Sequence, residues 1–234
     1  MSKIIMIGNQ KGGIGKTAIT MMCATSLSQE PFNFKVAVID LDRQKSIYKS
    51  RNYDIQAYEI APERIPYKVL NYTLSNLQTN IAQLDKDNDL IFIDVAGHLD
   101  NTKPIEIQEV TKALMYVDCL FIPFVSGGFN LDSTLEYYEF IKQVQILRAV
   151  QPRLLNVNGF INMNRQRTKA NSILNDEIQV LSAKENLQMM QNSLNDYALF
   201  KEEDTIKSLY DTYTEGSKGN FSTWLNEFLD IIKK

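Results

Sequence analysis

"GNQKGGIGKT" occupies residues 8–17, preceded by the apolar run "KIIMIG" (3–8) and followed by the helix-like "AITMMCATSLSQ" (18–29). A buried strand, a glycine-rich turn and a helix start, in that order, are the setting in which a G-x-x-x-x-G-K-[ST] loop holds phosphate. Gly12, Gly13 and Gly15 let backbone N–H groups approach phosphate oxygens with no side chain between them. The helix start at Lys16-Thr17 adds free N–H groups and the positive end of a helix dipole. Lys16 is expected at the β- and γ-phosphates of a nucleotide and the Thr17 hydroxyl at Mg²⁺, with Ile14 and Ala18 in the same wrapped segment. A glycine-rich turn with chance lysines is the plainer reading, but the flanking elements agree with the phosphate loop. The pattern has one departure. Counting back from Gly15-Lys16-Thr17, the first glycine falls at position 10, where Gln10 stands, and Lys11 beside it is a lysine the standard loop does not require.

Outward from this loop, short apolar runs alternate with helical patterns. "KVAVID" (35–40), "LIFIDV" (90–95), "CLFIPFV" (119–125) and "VNGFIN" (157–162) join "KIIMIG" as nearly continuous Val/Ile/Phe-rich stretches, which suits strands buried on both faces. Helical patterns are expected over 17–29, 67–84, 102–117, 131–150 and 169–181. Such alternation makes βαβ units around a mainly parallel central sheet, with helices on both faces in three α/β layers. "QAYEI" (56–60) and "LQMMQN" (187–192) are weaker strand candidates. The 234 residues suit a single domain spanning 1–234, with 44% hydrophobic and 23% charged residues, as in ordinary globular chains. A net charge of −3 announces no nucleic-acid binder as a whole, so any basic surface must be local. Two cysteines, Cys23 and Cys119, give neither a disulfide framework nor a four-ligand zinc site. The N-terminal apolar run is too short for a signal-peptide core, and no stretch approaches the roughly 20 apolar residues of a membrane span. The expectation is a cytoplasmic protein.

Two acids end the second and third clear strands. Asp94 closes "LIFIDVAG", where a carboxylate faces Mg²⁺ through water. Asp40 closes "VAVIDLDRQKS", with Asp42 two residues later. Either acid alone is equally a cap or turn residue; two such strands flanking the loop strand point to a nucleotide site.

"KGGIGKT", "VIDLDRQKS" and "IFIDVAG" resemble the deviant Walker A, Walker A′ and Walker B motifs of the ParA/MinD ATPases in order and spacing. "FINMNRQRT" (160–168) is similar to the segment that borders the adenine in that family, which implies nucleotide contacts at Asn162 and Met163. The likeness is fainter through residues 192–213. It implies ATP and Mg²⁺ as cofactors, and an ATP-dependent homodimer in which Lys11 crosses to the partner's nucleotide. It implies catalytic roles for Lys11, Lys16 and Asp40, with Asp40 as the water-orienting acid; Asp42 gains no role beyond shaping its loop. Departures are Arg43 in the position where the family often has proline, and "DVAGHLD" (94–100) in place of a run of two prolines. His98, the only histidine, lies in that segment and reads as a polar loop residue.

Members of this family hold either nonspecific DNA or membranes. From Phe140 to Asn175 there are six basic residues and no acid, namely Lys142, Arg148, Arg153, Arg165, Arg167 and Lys169. Arg148, Arg153, Arg165, Arg167 and Lys169 are the candidate DNA contacts. The amphipathic C-terminus "NFSTWLNEFLDIIKK" (220–234) carries Glu227 and Asp230 and reads as a helix packed on the core rather than a membrane anchor. With no helix-turn-helix extension expected before "KIIMIG", the chain resembles the short plasmid-type ParA partition proteins. This implies a nucleoid-associated ATPase for DNA segregation, stimulated by a ParB-like partner. The rivals are a MinD-like membrane-cycling ATPase and a metabolic or electron-transfer enzyme on the same fold.

Overall fold

All five apolar runs become strands. In the computed structural model, which describes residues 1–96, 104–185, 187–202, 204–212 and 215–234, they form β1 (Lys3–Ile7), β2 (Val36–Asp40), β4 (Leu90–Asp94), β5 (Cys119–Phe124) and β6 (Asn156–Ile161). Two short strands, β3 (Lys68–Asn71) and β7 (Gln188–Met189), complete a seven-stranded sheet in the order β3-β2-β4-β1-β5-β6-β7, with every pairing parallel. β1 thus lies at the centre, and the loop that leaves its carboxyl end sits between the ends of β4 and β5, where open α/β sheets place their ligands. His98 and its neighbours fall outside the described residues.

Side chains alternate along β1 and define the two faces. Ile5 and Ile7 join a core with α1 (Lys16–Leu27) and α7 (Gly216–Ile232). Ile4 and Met6 join a second core with α3 (Leu74–Asp87), α4 (Pro104–Leu114), α5 (Gly128–Arg148) and α6 (Lys169–Glu185). The C-terminal helix packs on the core as expected. Phe221, Trp224, Leu225, Phe228, Leu229 and Ile232 are all buried, with Phe228 against Phe121 at 4.3 Å and Trp224 against Phe160 at 5.0 Å between ring centroids. Its apolar face is covered by the protein itself. Among the described residues no helix is long and apolar enough to cross a membrane.

The edge of the sheet corrects one expectation. "QAYEI" forms no strand: Gln56 and Ala57 end α2 (Ser46–Ala57), whose Arg51 is buried and donates hydrogen bonds to the carbonyls of Tyr67 and Thr205. The edge strand is β3, inside the stretch expected to be helical from residue 67. Four residues are too few for a period-2 pattern to show against the helical pattern that follows. That helix starts at Leu74, behind a Thr73 capping box.

Candidate nucleotide site

The loop between β1 and α1 has the backbone its glycines allow. Gly13 and Gly15 adopt φ of 74° and 86°, the left-handed region that favours glycine. A Cβ on Gly15 would also come within 2.9 Å of Asn162 Nδ2. Asn162, just beyond β6, is buried and donates to the Ile14 carbonyl at 2.8 Å, tying the loop to the segment expected to border a base. Gly12, Gly13, Gly15, Lys16, Thr17, Ala18, Asn162 and Met163 line one cavity of about 560 Å³. Asn195, Asp196, Tyr197, Phe200 and Lys201 form a further part of its wall. The faint likeness through residues 192–213 gives these last residues no role in the sequence, and the wall is a loop and 3₁₀ turn brought in by the chain after β7.

The electrostatics are those of a site that awaits both a polyanion and a cation. Burial holds the Lys16 ammonium down to about 8, against the opposing charges of Asp94 and Asp42. Its Nζ donates to the Lys11 carbonyl at 2.6 Å. Asp94 is fully buried, and burial followed by the neighbouring Asp40 charge pushes its carboxyl up to about 7, despite the Thr17 hydroxyl bond at 3.1 Å and the charge of Lys16. Thr17 and Asp94 together present hard oxygen donors with an undercompensated negative charge, which fits Mg²⁺. Mg²⁺ held there would neutralise phosphate charge.

A pH dependence follows. A carboxyl whose folded-state value is raised contributes stability that is present below about pH 4 and lost as pH rises through about 7. The expected result is a melting temperature that falls from pH 5 to pH 8 without Mg²⁺, and a flatter profile for Asp94→Asn. Parallel profiles would contradict the assignment.

Asp40, expected to orient water, is tied into the fold. It is buried, and its two carboxylate oxygens accept backbone N–H groups of Asp42 and Tyr48, both at 3.1 Å, which pins the loop and the start of α2. The next acid, Asp42, is half-buried and close enough to act on Lys16, and its carboxylate accepts only the Gln44 N–H at 2.8 Å among the hydrogen bonds described. Arg43, in the proline-like position, pairs with Glu109 of α4 at 3.6 Å on the surface.

The acid-free stretch 140–175 does not form a continuous basic face. Arg148 is buried and donates to the carbonyls of Leu114, Val117 and Arg153. Arg153 is held by Asp118 at 2.6 Å and Asp85 at 3.5 Å. Both are withdrawn as DNA contacts, since their charges serve the fold near the amino ends of the strands. Lys142 is paired with Glu139 and Glu185. Arg165, exposed, reaches Asp196 on the cavity wall at 2.7 Å. Arg167 and Lys169 are exposed. The partners lie outside the linear stretch, Glu139 immediately before it in α5 and the others on other elements. Cys23 and Cys119 are buried, and burial pushes the Cys119 thiol up to about 11.

With this geometry in hand, comparison with known proteins is informative. The profile of the family described as the CobQ/CobB/MinD/ParA nucleotide binding domain matches residues 5–195. A putative plasmid partition protein from Borrelia burgdorferi bound to AMPPNP is 19% identical, with a TM-score of 0.67 over 98% of this chain and 99% of that one. An ATP complex of a McdA variant from Cyanothece is 14% identical, with a TM-score of 0.71 over 97% and 96%. Cobyrinic acid a,c-diamide synthase from Mycobacterium smegmatis, bound to ADP and magnesium, is 14% identical, with a TM-score of 0.68 over 100% and 96%. At these identities the structural likeness establishes the fold. No curated protein matches the sequence.

Proposed function

This chain belongs to the family of CobQ/CobB/MinD/ParA nucleotide-binding domains, and on that premise we propose that it works as a ParA-type partition ATPase. It binds MgATP through Lys16, Thr17 and Asp94, closes into a dimer around two nucleotides, and holds DNA without sequence preference. Hydrolysis is slow until a ParB-like protein stimulates it. The observation that carries this reading is the second lysine. Lys11 stands in the phosphate loop with its carbonyl against the Lys16 ammonium and its N–H against Asn9 Oδ1. A cation held there offsets the repulsion between two triphosphates, so ATP favours the closed dimer more than ADP does. Asp42 is the acid that orients the attacking water, since it lies near Lys16 with a carboxylate that the fold does not consume. DNA contacts fall to Arg167 and Lys169, with Arg165 shared with the cavity wall.

A salt series on random-sequence duplex tests the DNA role. Binding is expected with ATP and weak with ADP, with log affinity falling against log salt by about 0.9 per phosphate neutralised. Arg167→Ala with Lys169→Ala should lower both affinity and slope while ATP binding persists. Equal affinity in both nucleotide states would remove the DNA role. One observation favours a second reading, an enzyme that activates a small molecule with ATP. A further cavity of about 540 Å³, lined by Asp42, Asn71, Tyr72 and Glu109 among others, opens beside the nucleotide site. Turnover that needs neither DNA nor a protein partner but rises with a small carboxylic acid would favour it.

A further inference from the structure

Three consecutive residues ahead of Lys11 touch α5. Gly8 leaves no room for a side chain, because a Cβ there would lie 2.4 Å from Tyr137 Oη. Gln10 donates to Glu136 at 2.9 Å on the surface. Between them Asn9, buried, donates from Nδ2 to the Pro123 carbonyl at 3.1 Å and to Thr134 Oγ1 at 2.9 Å. Thr134 is also buried, and its hydroxyl proton goes to the Asn130 carbonyl at 2.8 Å. The Thr134 oxygen is therefore left as an acceptor. Both amide hydrogens of Asn9 are then committed, and the amide can have only one orientation. Its Oδ1 faces the loop and accepts the Lys11 N–H at 3.0 Å.

We propose that Thr134 is a positioning residue for Lys11, acting through Asn9 to fix the backbone from which the lysine projects. The chain of bonds runs from a rigid helix through one buried amide to the residue on which nucleotide-dependent dimerisation is read above, and the inference rests on that reading. Thr17 and Asp94 are held by α1 and β4 and do not depend on it; Lys16 is carried by α1 and touches this chain of bonds only through the Lys11 carbonyl, an acceptor that ATP phosphates would replace. Loss of the Thr134 hydroxyl should thus separate two properties that a general loss of stability would move together. ATP affinity should stay, and ATP-dependent dimerisation should weaken.

The test is Thr134→Val, alone and combined with Lys11→Ala, with Thr134→Ser as the conservative variant. ATP affinity is measured by titration, and dimerisation by light scattering across protein concentration. Thr134→Val should weaken dimerisation about tenfold, the worth of one buried hydrogen bond, with ATP affinity within about twofold. Thr134→Ser should restore it. In the Lys11→Ala background, Thr134→Val should add nothing further, because the group it positions is gone. If Lys11→Ala impairs dimerisation and Thr134→Val does not, or if the two losses add, the positioning role is overturned while the reading of Lys11 stands. If Lys11→Ala leaves dimerisation intact, that reading falls and the positioning role falls with it. If Thr134→Val is too unstable to assay, Thr134→Ala decides by the same readouts. Dimerisation retained in that variant overturns the proposal, and its loss with ATP affinity kept supports it.

Discussion

Replacing Lys16 with alanine is expected to leave a folded chain that no longer holds ATP at ordinary working concentrations. Lys16 is 5% exposed, and burial holds its ammonium down to about 8, so the fold gains little from the charge. Removing it relieves a desolvated cation and frees one carbonyl, that of Lys11. Binding is a different matter. A hydrogen bond to a charged group is worth about 1.5–3 kcal/mol, and an ammonium between two phosphates makes about two of them. The loss of affinity is then on the order of 10²–10⁴-fold. Titration with a fluorescent ATP analogue reads the affinity, and a melting curve reads the fold. Wild-type affinity in the variant would end the reading of this loop as a phosphate site.

The second large effect separates the two aspartates after β2. Asp42→Ala should bind MgATP as the wild type does and hydrolyse it slower by about 10²–10⁴-fold, the usual worth of a group that orients or deprotonates a nucleophile. Asp40→Ala should behave otherwise. It strips acceptors from the backbone N–H groups of Asp42 and Tyr48, at a cost of about 1–3 kcal/mol for each buried group left unsatisfied, so the melting temperature falls and the phosphate site loosens with it. Both variants are followed by single-turnover hydrolysis and by thermal melting. If Asp40→Ala melts and binds ATP like the wild type but loses turnover, while Asp42→Ala keeps it, the water-orienting role returns to Asp40.

The contrast between these residues shows what the sequence can and cannot carry. The loop, Thr17 and Asp94 were legible because strand, glycine turn, helix start and a second acid-ended strand each constrain the same place. The five buried strands were legible because parallel central strands are apolar along their whole length. The edge strand β3 was not, because four half-exposed residues leave no period to read. A spacing does not say which of the two acids after β2 lies inside the sheet. Burial decides that, and burial is set by where β2 ends. The basic stretch 140–175 misled for a similar reason. Asp85, Asp118, Glu185 and Asp196 meet its cations from other elements, and Glu139 does so from just before the stretch, in the same helix. Thr134 was invisible, since only the packing of α5 against β1 brings it to Asn9.

The central claim is that ATP, through Lys11, joins two copies of this chain. Light scattering on Asp42→Ala with MgATP, MgADP or neither, and on Lys11→Ala with MgATP, tests it most directly. The expected result is a doubling of the 26.8 kDa mass for Asp42→Ala with MgATP alone, and a single-chain mass in each other case. The same mass with ATP and ADP, or a Lys11→Ala chain that doubles as well, would contradict the account.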